Sequence, residues 1–518
     1  MKNILEFLQI TAARLPDKTA VIDEAGQCSW HELLQYSQSA GTALAARLAP
    51  RTPVPVLMEK GRHALYAFFG AVQAGCFYVP LNPVLPEARL RQVLAVLEAP
   101  LIVTDRAHYP LAARLFPESA VLLIEDLIQA PPAPAVLACI QEDMTDTDPL
   151  YCLFTSGSTG TPKGVVISHR SVLSFIPAFS RQFGIGENDI IGNQAPFDFD
   201  VSVKDIYSAV QTGAALAVIP RRLFSQPAAL MDFLCAHRVT VLTWAVSALC
   251  LVSALHGLDY RTPDSVRRVL FSGEVMPPAH LRRWMQALPH AEFANLYGPT
   301  EITCNCTCHR IERENEYTAG LPLGKAFPNA RVFLLDGADR EITGPDETGE
   351  ICVGGAGLAL GYYNAPEQTA RVFIQHPGNR RYVERIYRTG DLGRYDAQGN
   401  LYFCGRKDFQ IKHMGHRIEL EEIERAVAAL PGAAQCCCVF DEGKSRLHAF
   451  YTGTAESAAL YEQLSRILPV FMLPRTLERL EQMPLTANGK TDRRRLLAIA
   501  RPANKSQVEI SDLWERQK

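Results

Sequence analysis

Residues Tyr151–Gly164 read Y-C-L-F-T-S-G-S-T-G-T-P-K-G. The apolar run Tyr151–Phe154 predicts a buried strand. It empties into a stretch with almost no bulk: Thr155, Ser156, Gly157, Ser158, Thr159, Gly160, Thr161, Pro162, Lys163 and Gly164. Val165–His169 then resumes an apolar run. Such a loop offers backbone N–H groups and hydroxyls, its glycines admit a charged ligand close to the main chain, and Lys163 adds a full positive charge. The chemistry this points to is polyphosphate binding. It is not the Walker pattern, which needs Gly-Lys-Ser/Thr opening a helix; here Lys163 stands between Pro162 and Gly164. The plainer alternative is a polar surface loop.

Four more islands follow in order: Tyr297-Gly298-Pro299-Thr300-Glu301, Tyr387-Arg388-Thr389-Gly390-Asp391-Leu392, Gly405-Arg406-Lys407-Asp408, and Pro484-Leu485-Thr486-Ala487-Asn488-Gly489-Lys490. Each sets charged or hydroxyl residues among small or turn-forming ones. Two cysteine clusters carry weaker signals. Cys304, Cys306 and Cys308 alternate and would share one face of a strand, but no Cys-x-x-Cys or spaced His pair accompanies them, so a small-residue pocket wall is favoured over a metal site. Cys436-Cys437-Cys438 leads into Val439-Phe440 and reads as an interior strand.

The elements that must hold these islands show three regimes. Residues 3–14 have helical apolar spacing halted before Pro16, and Ser29 with Glu32 has capping-box spacing. Helical stretches then alternate with the short apolar runs Val54–Met58, Cys76–Pro80, Leu101–Thr104 and Val121–Ile124. The alternation continues through Ala215–Pro220, Val239–Thr243 and Val266–Ser272, and predicts a layered α/β core. Pro131–Pro134 is expected to be a loop. After about residue 320, Gly and Pro become frequent and short β-type runs (Arg331–Leu335, Glu350–Val353, Tyr402–Gly405) predict a smaller β-rich unit. Beyond Asp408, an acidic-start helix at Glu419–Leu430, strands at Gln435–Phe440 and Leu447–Tyr451, and a helix at Ala455–Leu468 predict a separate α+β domain. The expected division is therefore 1–407, 408–500, and a polar tail 501–518.

Composition narrows the class. With 518 residues, about three or four compact units are expected. Hydrophobic residues make up 47% and charged residues 21%, an ordinary globular balance. The formal charge of −3, from 52 basic and 55 acidic residues, implies no general attraction to nucleic acid or anionic membrane. No signal-peptide pattern or membrane-length apolar run is present, so a cytoplasmic protein is the default and its 14 cysteines are expected to be free thiols.

Taken together, the islands resemble the adenylate-forming superfamily, which includes the adenylation domains of nonribosomal peptide synthesis, acyl-CoA synthetases and luciferases. The resemblance runs over about residues 10–496 and extends to Val72–Asn82, Gly349–Gly355 and Gly361-Tyr362-Tyr363-Asn364. It implies an N-terminal catalytic core and a small mobile C-terminal domain, with ATP and Mg²⁺ as cofactors. The Thr155–Gly164 loop would bind the β- and γ-phosphates, with Gly273 and Glu274 also at the nucleotide. Tyr297 would lie against the adenine, with Gly298 also at the nucleotide; Thr300 would bond the α-phosphate, and Glu301 would hold Mg²⁺. Asp391 would take the ribose hydroxyls with Arg406 nearby. Lys490 would bridge the substrate carboxylate and α-phosphate. Asp408 matches the hinge about which the C-terminal domain rotates between two half-reactions, and Gly415 lies beside the path of an incoming thiol.

Ala195–Asp205 resembles the pocket motif of amino-acid adenylation domains. Asp200 falls where that family places the carboxylate pairing the substrate's α-ammonium; the doubled Phe-Asp leaves Asp198 as a fallback, and a helix-capping role for Asp200 is the plain alternative. The other pocket positions are Val201, Lys204, Ser247, Leu270, Ser272, Leu296, Cys304 and Asn305. Lys204 departs from the family's usual apolar residue. It reads an acidic or hydroxylated side chain, pairs with Asp200, or points outward. The set looks most like stand-alone D-alanine–carrier protein ligases and also suits serine-activating domains, so a small polar substrate is expected. No room for a carrier domain is seen after residue 500, so the resemblance implies a separate phosphopantetheine-bearing carrier protein as partner. An acid–CoA ligase, and a catalytically silent scaffold homologue, are the rival readings.

Overall fold

The structure, a computed structural model, describes residues 1–157, 160–317, 320–486 and 491–500. Contacts group the chain into two units. The first comprises Met1–Pro83, Leu97–Phe154 and Gly164–Lys407; the second comprises Val84–Val96, Thr155–Lys163 and the chain from Asp408 onward.

In the first unit the alternation read from the sequence builds two largely parallel sheets. One runs, edge to edge, through Lys325–Ala326, Thr307–Arg310, Glu292–Tyr297, Arg268–Ser272, Val241–Ala245, Ile190–Asn193, Ala215–Val218, Thr19–Asp23 and Gly26–Ser29. The strands from Glu292–Tyr297 to Thr19–Asp23 are parallel, and antiparallel strands close both edges. Parallel strands are covered on both faces and therefore read as continuous apolar runs; Ala215–Val218 and Val241–Ala245 are buried at every residue. The other sheet is centred on Phe77–Leu81 and Pro53–Leu57, also buried throughout. A third, antiparallel sheet pairs Ala330–Leu335, Gly349–Gly355, Arg385–Tyr395 and Leu401–Arg406, matching the change of pattern after residue 320.

Local signals hold where their chemistry is local. Ser29 Oγ accepts from the Glu32 N–H (3.2 Å) while Glu32 accepts in turn from the Ser29 N–H (2.8 Å), a complete capping box on the helix Trp30–Ala45. The Pro131–Pro134 loop is shorter than expected, because Pro134 opens a helix, Pro134–Asp143, whose first position suits a residue without an N–H. The cysteine trio does not share a strand: only Cys308 lies in one, Thr307–Arg310, while Cys304 sits at φ 72°. Cys436–Cys438 does lie in a strand, Ala433–Asp441. All fourteen cysteines are free, and no group of metal-ligating side chains is found among the described residues. No helix among them is long and apolar enough to cross a membrane.

The second unit contains the hairpin Gln410–His413/His416–Glu419, the helix Leu420–Ala428, and a sheet of Ala433–Asp441, Arg446–Gly453 and Thr476–Arg479. Its core is formed by Ile418, Ile423, Val427, Leu447, Ala449 and Leu460.

Candidate active site

The helix Val201–Thr212 is buried at every residue from Val201 to Val210. A helix with one wet face keeps its charges there; this one has none. Lys204 is accordingly 1% exposed. Its Nζ donates to Asn305 Oδ1 at 2.8 Å and lies 3.5 Å from Ser272 Oγ. Burial draws its pKa below the ordinary lysine value, against the opposing fields of Cys304, Asp200 and Asp205. The outward-pointing reading of Lys204 is thereby excluded, and no carboxylate among the described residues comes within ion-pair distance of it.

Asp200 occupies the N-cap position of the same helix, yet its backbone is already helical and its side chain makes no capping bond. It is buried. Cys304 Sγ donates to its carbonyl at 3.2 Å. Asp198 is half-buried, accepts from Asn82 Nδ2 at 3.4 Å, and is pushed up to about 6 by desolvation. Val201, Leu270, Ser272, Leu296, Cys304 and Asn305 are all buried. Ser247 is half-buried in the first turn of Val246–Ala254.

The segment carrying Cys304 and Asn305 is strained. Thr303 and Cys304 both stand at positive φ (61° and 72°), a region costly for residues with a Cβ. It is held by Thr303 Oγ1 donating to Gly357 O (2.7 Å), Cys304 Sγ donating to Asp200, and Cys306 N–H donating to Tyr297 O (2.8 Å). Gly298 is required by the same packing: a Cβ there would stand 2.6 Å from both Asn305 Cα and Cys304 O.

A second cluster closes around Asp391. Tyr297 Oη donates to Asp391 Oδ2 at 2.6 Å, Arg406 pairs with Asp391 Oδ1, and the Asp391 N–H donates to Thr389 Oγ1 at 3.0 Å. Antiparallel register places Asp391 directly opposite Arg406. Burial raises the Tyr297 phenol well above its usual value. Thr300 and Glu301 form a short 3-10 turn after Pro299, both buried. Tyr362 Oη donates to Glu301 Oε1 at 2.7 Å. One buried carboxylate beside a hydroxyl is a fitting donor set for Mg²⁺, which takes one or two carboxylates and completes its shell with phosphates and water. Gly273 and the half-buried Glu274 follow the strand Arg268–Ser272.

In the second unit, Ser156 Oγ donates to Arg417 O (2.7 Å), the Gly157 N–H donates to Glu422 Oε2 (3.2 Å), and Glu422 also pairs with Arg89. The Gly160 N–H closes a turn onto Gly157 O at 2.8 Å. A Cβ at Gly157 would stand 2.0 Å from Thr161 O, so the turn admits only glycine there. Thr155 ends the strand Pro149–Thr155, and Lys163 Nζ lies 3.9 Å from Glu419 Oε1. Gly415 and Met414 form the two-residue turn of the hairpin, both at positive φ. Asp408 is exposed. Ser158, Thr159 and Lys490 lie outside the described residues.

Sequence reading missed a buried group that meets the helix Val201–Thr212 at Asp205. Lys60 Nζ donates to Asn193 O (3.1 Å), Asn193 Oδ1 (3.1 Å) and Gln194 O (2.7 Å). Asn193 Nδ2 donates to Asp205 Oδ2 at 2.9 Å, and Thr243 Oγ1 donates to Asp205 Oδ1. Burial pushes Asp205 up to about 7 and draws Lys60 down to about 7. Asp205 closes the pocket motif and Tyr362 lies in the island Gly361–Asn364, so both were within reach of the sequence; nothing in it marks Lys60 or Asn193.

Comparison with known proteins gives a consistent picture. Residues 8–363 match the AMP-binding enzyme family and 422–490 match the AMP-binding enzyme C-terminal domain. The chain is 35% identical over 489 residues to the L-proline–[L-prolyl-carrier protein] ligase of Streptomyces coelicolor, covering 90% of this chain and 89% of that one. It is 33% identical over 512 residues to a mycosubtilin synthase polypeptide of Bacillus subtilis, covering 96% of this chain but only 19% of that much longer one. It spans 6% of a linear gramicidin synthase polypeptide of Brevibacillus parabrevis, so it matches a small part of these large relatives. The structure of holo-PA1221, an NRPS protein containing adenylation and PCP domains, aligns with TM-score 0.82 at 26% identity, covering 96% of this chain and 84% of that one.

Proposed function

The chain belongs to the AMP-binding enzyme family, and from that premise we propose that it activates a small amino acid as its aminoacyl-adenylate and transfers it to the phosphopantetheine thiol of a separate carrier protein. One observation carries the reading. Ser272 and Leu296 are register partners at the carboxyl ends of adjacent parallel strands, and Tyr297-Gly298 follows Leu296 immediately. On this reading the amino acid and the nucleotide lie side by side at the carboxyl ends of neighbouring strands, the end of the sheet where parallel α/β proteins bind ligands.

In the first half-reaction the amino acid's carboxylate oxygen attacks the α-phosphorus of ATP, and the bond to pyrophosphate breaks. Asp200 holds the α-ammonium; Tyr297, Asp391 and Arg406 hold the nucleoside; Thr300 donates to the α-phosphate; Lys490 bridges both reactants. Most of the acceleration comes from placement and charge neutralisation. Mg²⁺, held at Glu301, supplies further neutralisation of phosphate charge when bound. In the second half-reaction a thiol attacks the activated carbonyl and AMP departs. The domain from Asp408 onward rotates between the two, withdrawing Lys490 and bringing Gly415 to the thiol's path. The free thiols throughout the chain suit a reducing compartment such as the cytoplasm.

Amino-acid-dependent exchange of labelled pyrophosphate into ATP tests the reading. Exchange with at least one amino acid, lost in Lys490→Ala while thiol transfer from supplied adenylate survives, is the expected result. Thioester formation with CoA and a simple acid, with no exchange for any amino acid, would replace it with the acid–CoA ligase. Silence in both assays would leave a binding role.

A further inference from the structure

Resting on the amino-acid-activating reading above, the charges of the pocket narrow its substrate. Lys204 stands on a helix buried on every side, so its ammonium cannot reach water along its own stem. Its partners Asn305 and Ser272 are neutral, and an ammonium offers three donors and a whole charge. A buried cation without a counter-charge is costly.

Two carboxylates are near enough to affect it. Asp205 is engaged elsewhere: Thr243 and Asn193 donate to it, and the Asn193 carboxamide links it to Lys60. Asp200 is the group that receives the substrate's α-ammonium. Once that ammonium is seated, Asp200 is balanced and the field at Lys204 is left positive. A hydroxyl side chain would satisfy a donor but leave that charge standing; a carboxylate would satisfy both.

We infer that the pocket selects an amino acid whose side chain ends in a carboxylate, of aspartate or glutamate length, with Lys204 reading that carboxylate and Asn305 and Ser272 holding the ammonium in position.

The test is pyrophosphate exchange by the full-length enzyme with L- and D-aspartate, L- and D-glutamate, asparagine, serine and alanine. The expected result is a kcat/KM for the best acidic substrate on the order of a hundredfold above asparagine, a neutral isostere, since sites built around a polar group reject analogues lacking its complement. Lys204→Met is expected to erase that ratio, read as the quotient of the two kcat/KM values within the variant. Serine, alanine or asparagine favoured over every acidic substrate by the wild-type enzyme overturns this inference and leaves the adenylation reading intact. Exchange with no amino acid overturns both. An acidic preference unchanged in Lys204→Met overturns the role given to Lys204. The wild-type panel decides the substrate class even if the variant fails to fold.

Discussion

Two polar clusters in the first unit are buried to similar depth and differ in how their charges are settled. Around Asp391, anion and cation belong to the same chain: Arg406 lies opposite in register, and Tyr297 and Thr389 supply the remaining bonds. Around Lys204, the chain provides a cation and neutral acceptors. The first cluster has its charges matched within the chain, which agrees with the nucleotide role proposed for it. The second holds a cation with neutral acceptors, and under the function proposed above the matching anion comes with the substrate.

This contrast makes opposite predictions for removing a charge. Asp391→Asn removes the carboxylate charge that faces the Arg406 guanidinium, and breaking such a pair is expected to cost about 3–5 kcal/mol, read as a lower urea midpoint, with exchange activity falling on the order of a hundredfold. A stability change near zero would mean that the pair is not settled within the chain.

His169 shows what burial does where desolvation outweighs the nearby carboxylates. Its Nδ1 accepts from the Ile4 N–H (3.1 Å), and desolvation draws its pKa from 6.5 to about 4, against the fields of Asp148 and Asp146. The folded value lies below the unfolded one, so the neutral ring's contribution is fully present above pH 6.5 and is lost as pH falls toward 4. Linkage at about 1.4 kcal/mol per pKa unit gives a loss of about 3 kcal/mol across that window. Urea unfolding at pH 7 and pH 4 checks it, with His169→Gln expected to lose correspondingly less than wild type.

Lys204→Met should act in the reverse sense to Asp391→Asn. Replacing an unmatched buried cation by an apolar side chain of similar length is expected to raise the free enzyme's stability by about 2 kcal/mol. Destabilisation of that size would show that Lys204 is balanced within the chain after all. The smallest effect belongs to Tyr362→Phe, which removes one charge-assisted bond to Glu301 and is expected to cost about 1–2 kcal/mol; at saturating Mg²⁺ the difference should shrink.

The unequal legibility of the two clusters in the sequence has the same origin. Tyr297, Asp391 and Arg406 each sit in a contiguous island whose neighbours announce it. The Lys204 cluster is assembled from side chains far apart in the chain: Lys204 meets an amide 101 residues away. Nothing in the order of residues 201–212 tells that the helix has no wet side, so the residues alone leave an outward lysine open. The alternation of Cys304, Cys306 and Cys308 points to a strand because threonine and cysteine ordinarily avoid the left-handed region that Thr303 and Cys304 occupy. Fold elements are legible where a signal is complete within a few residues, as in the Ser29–Glu32 cap, and the buried parallel strands are legible from their unbroken apolar runs.

The contact at Gly298 has a bearing on redesign. Because the backbone of Cys304 and Asn305 rests against the α-carbon of Gly298, the segment that carries the proposed pocket residues and the strand end that carries Tyr297 have no slack between them. Under the proposed function, side-chain exchanges at positions 304 and 305 are expected to retune selectivity. An insertion, a deletion or a bulkier residue at 298 would instead displace the strand end that carries Tyr297, so attempts to transplant specificity by grafting whole loops should fail in turnover before they fail in recognition.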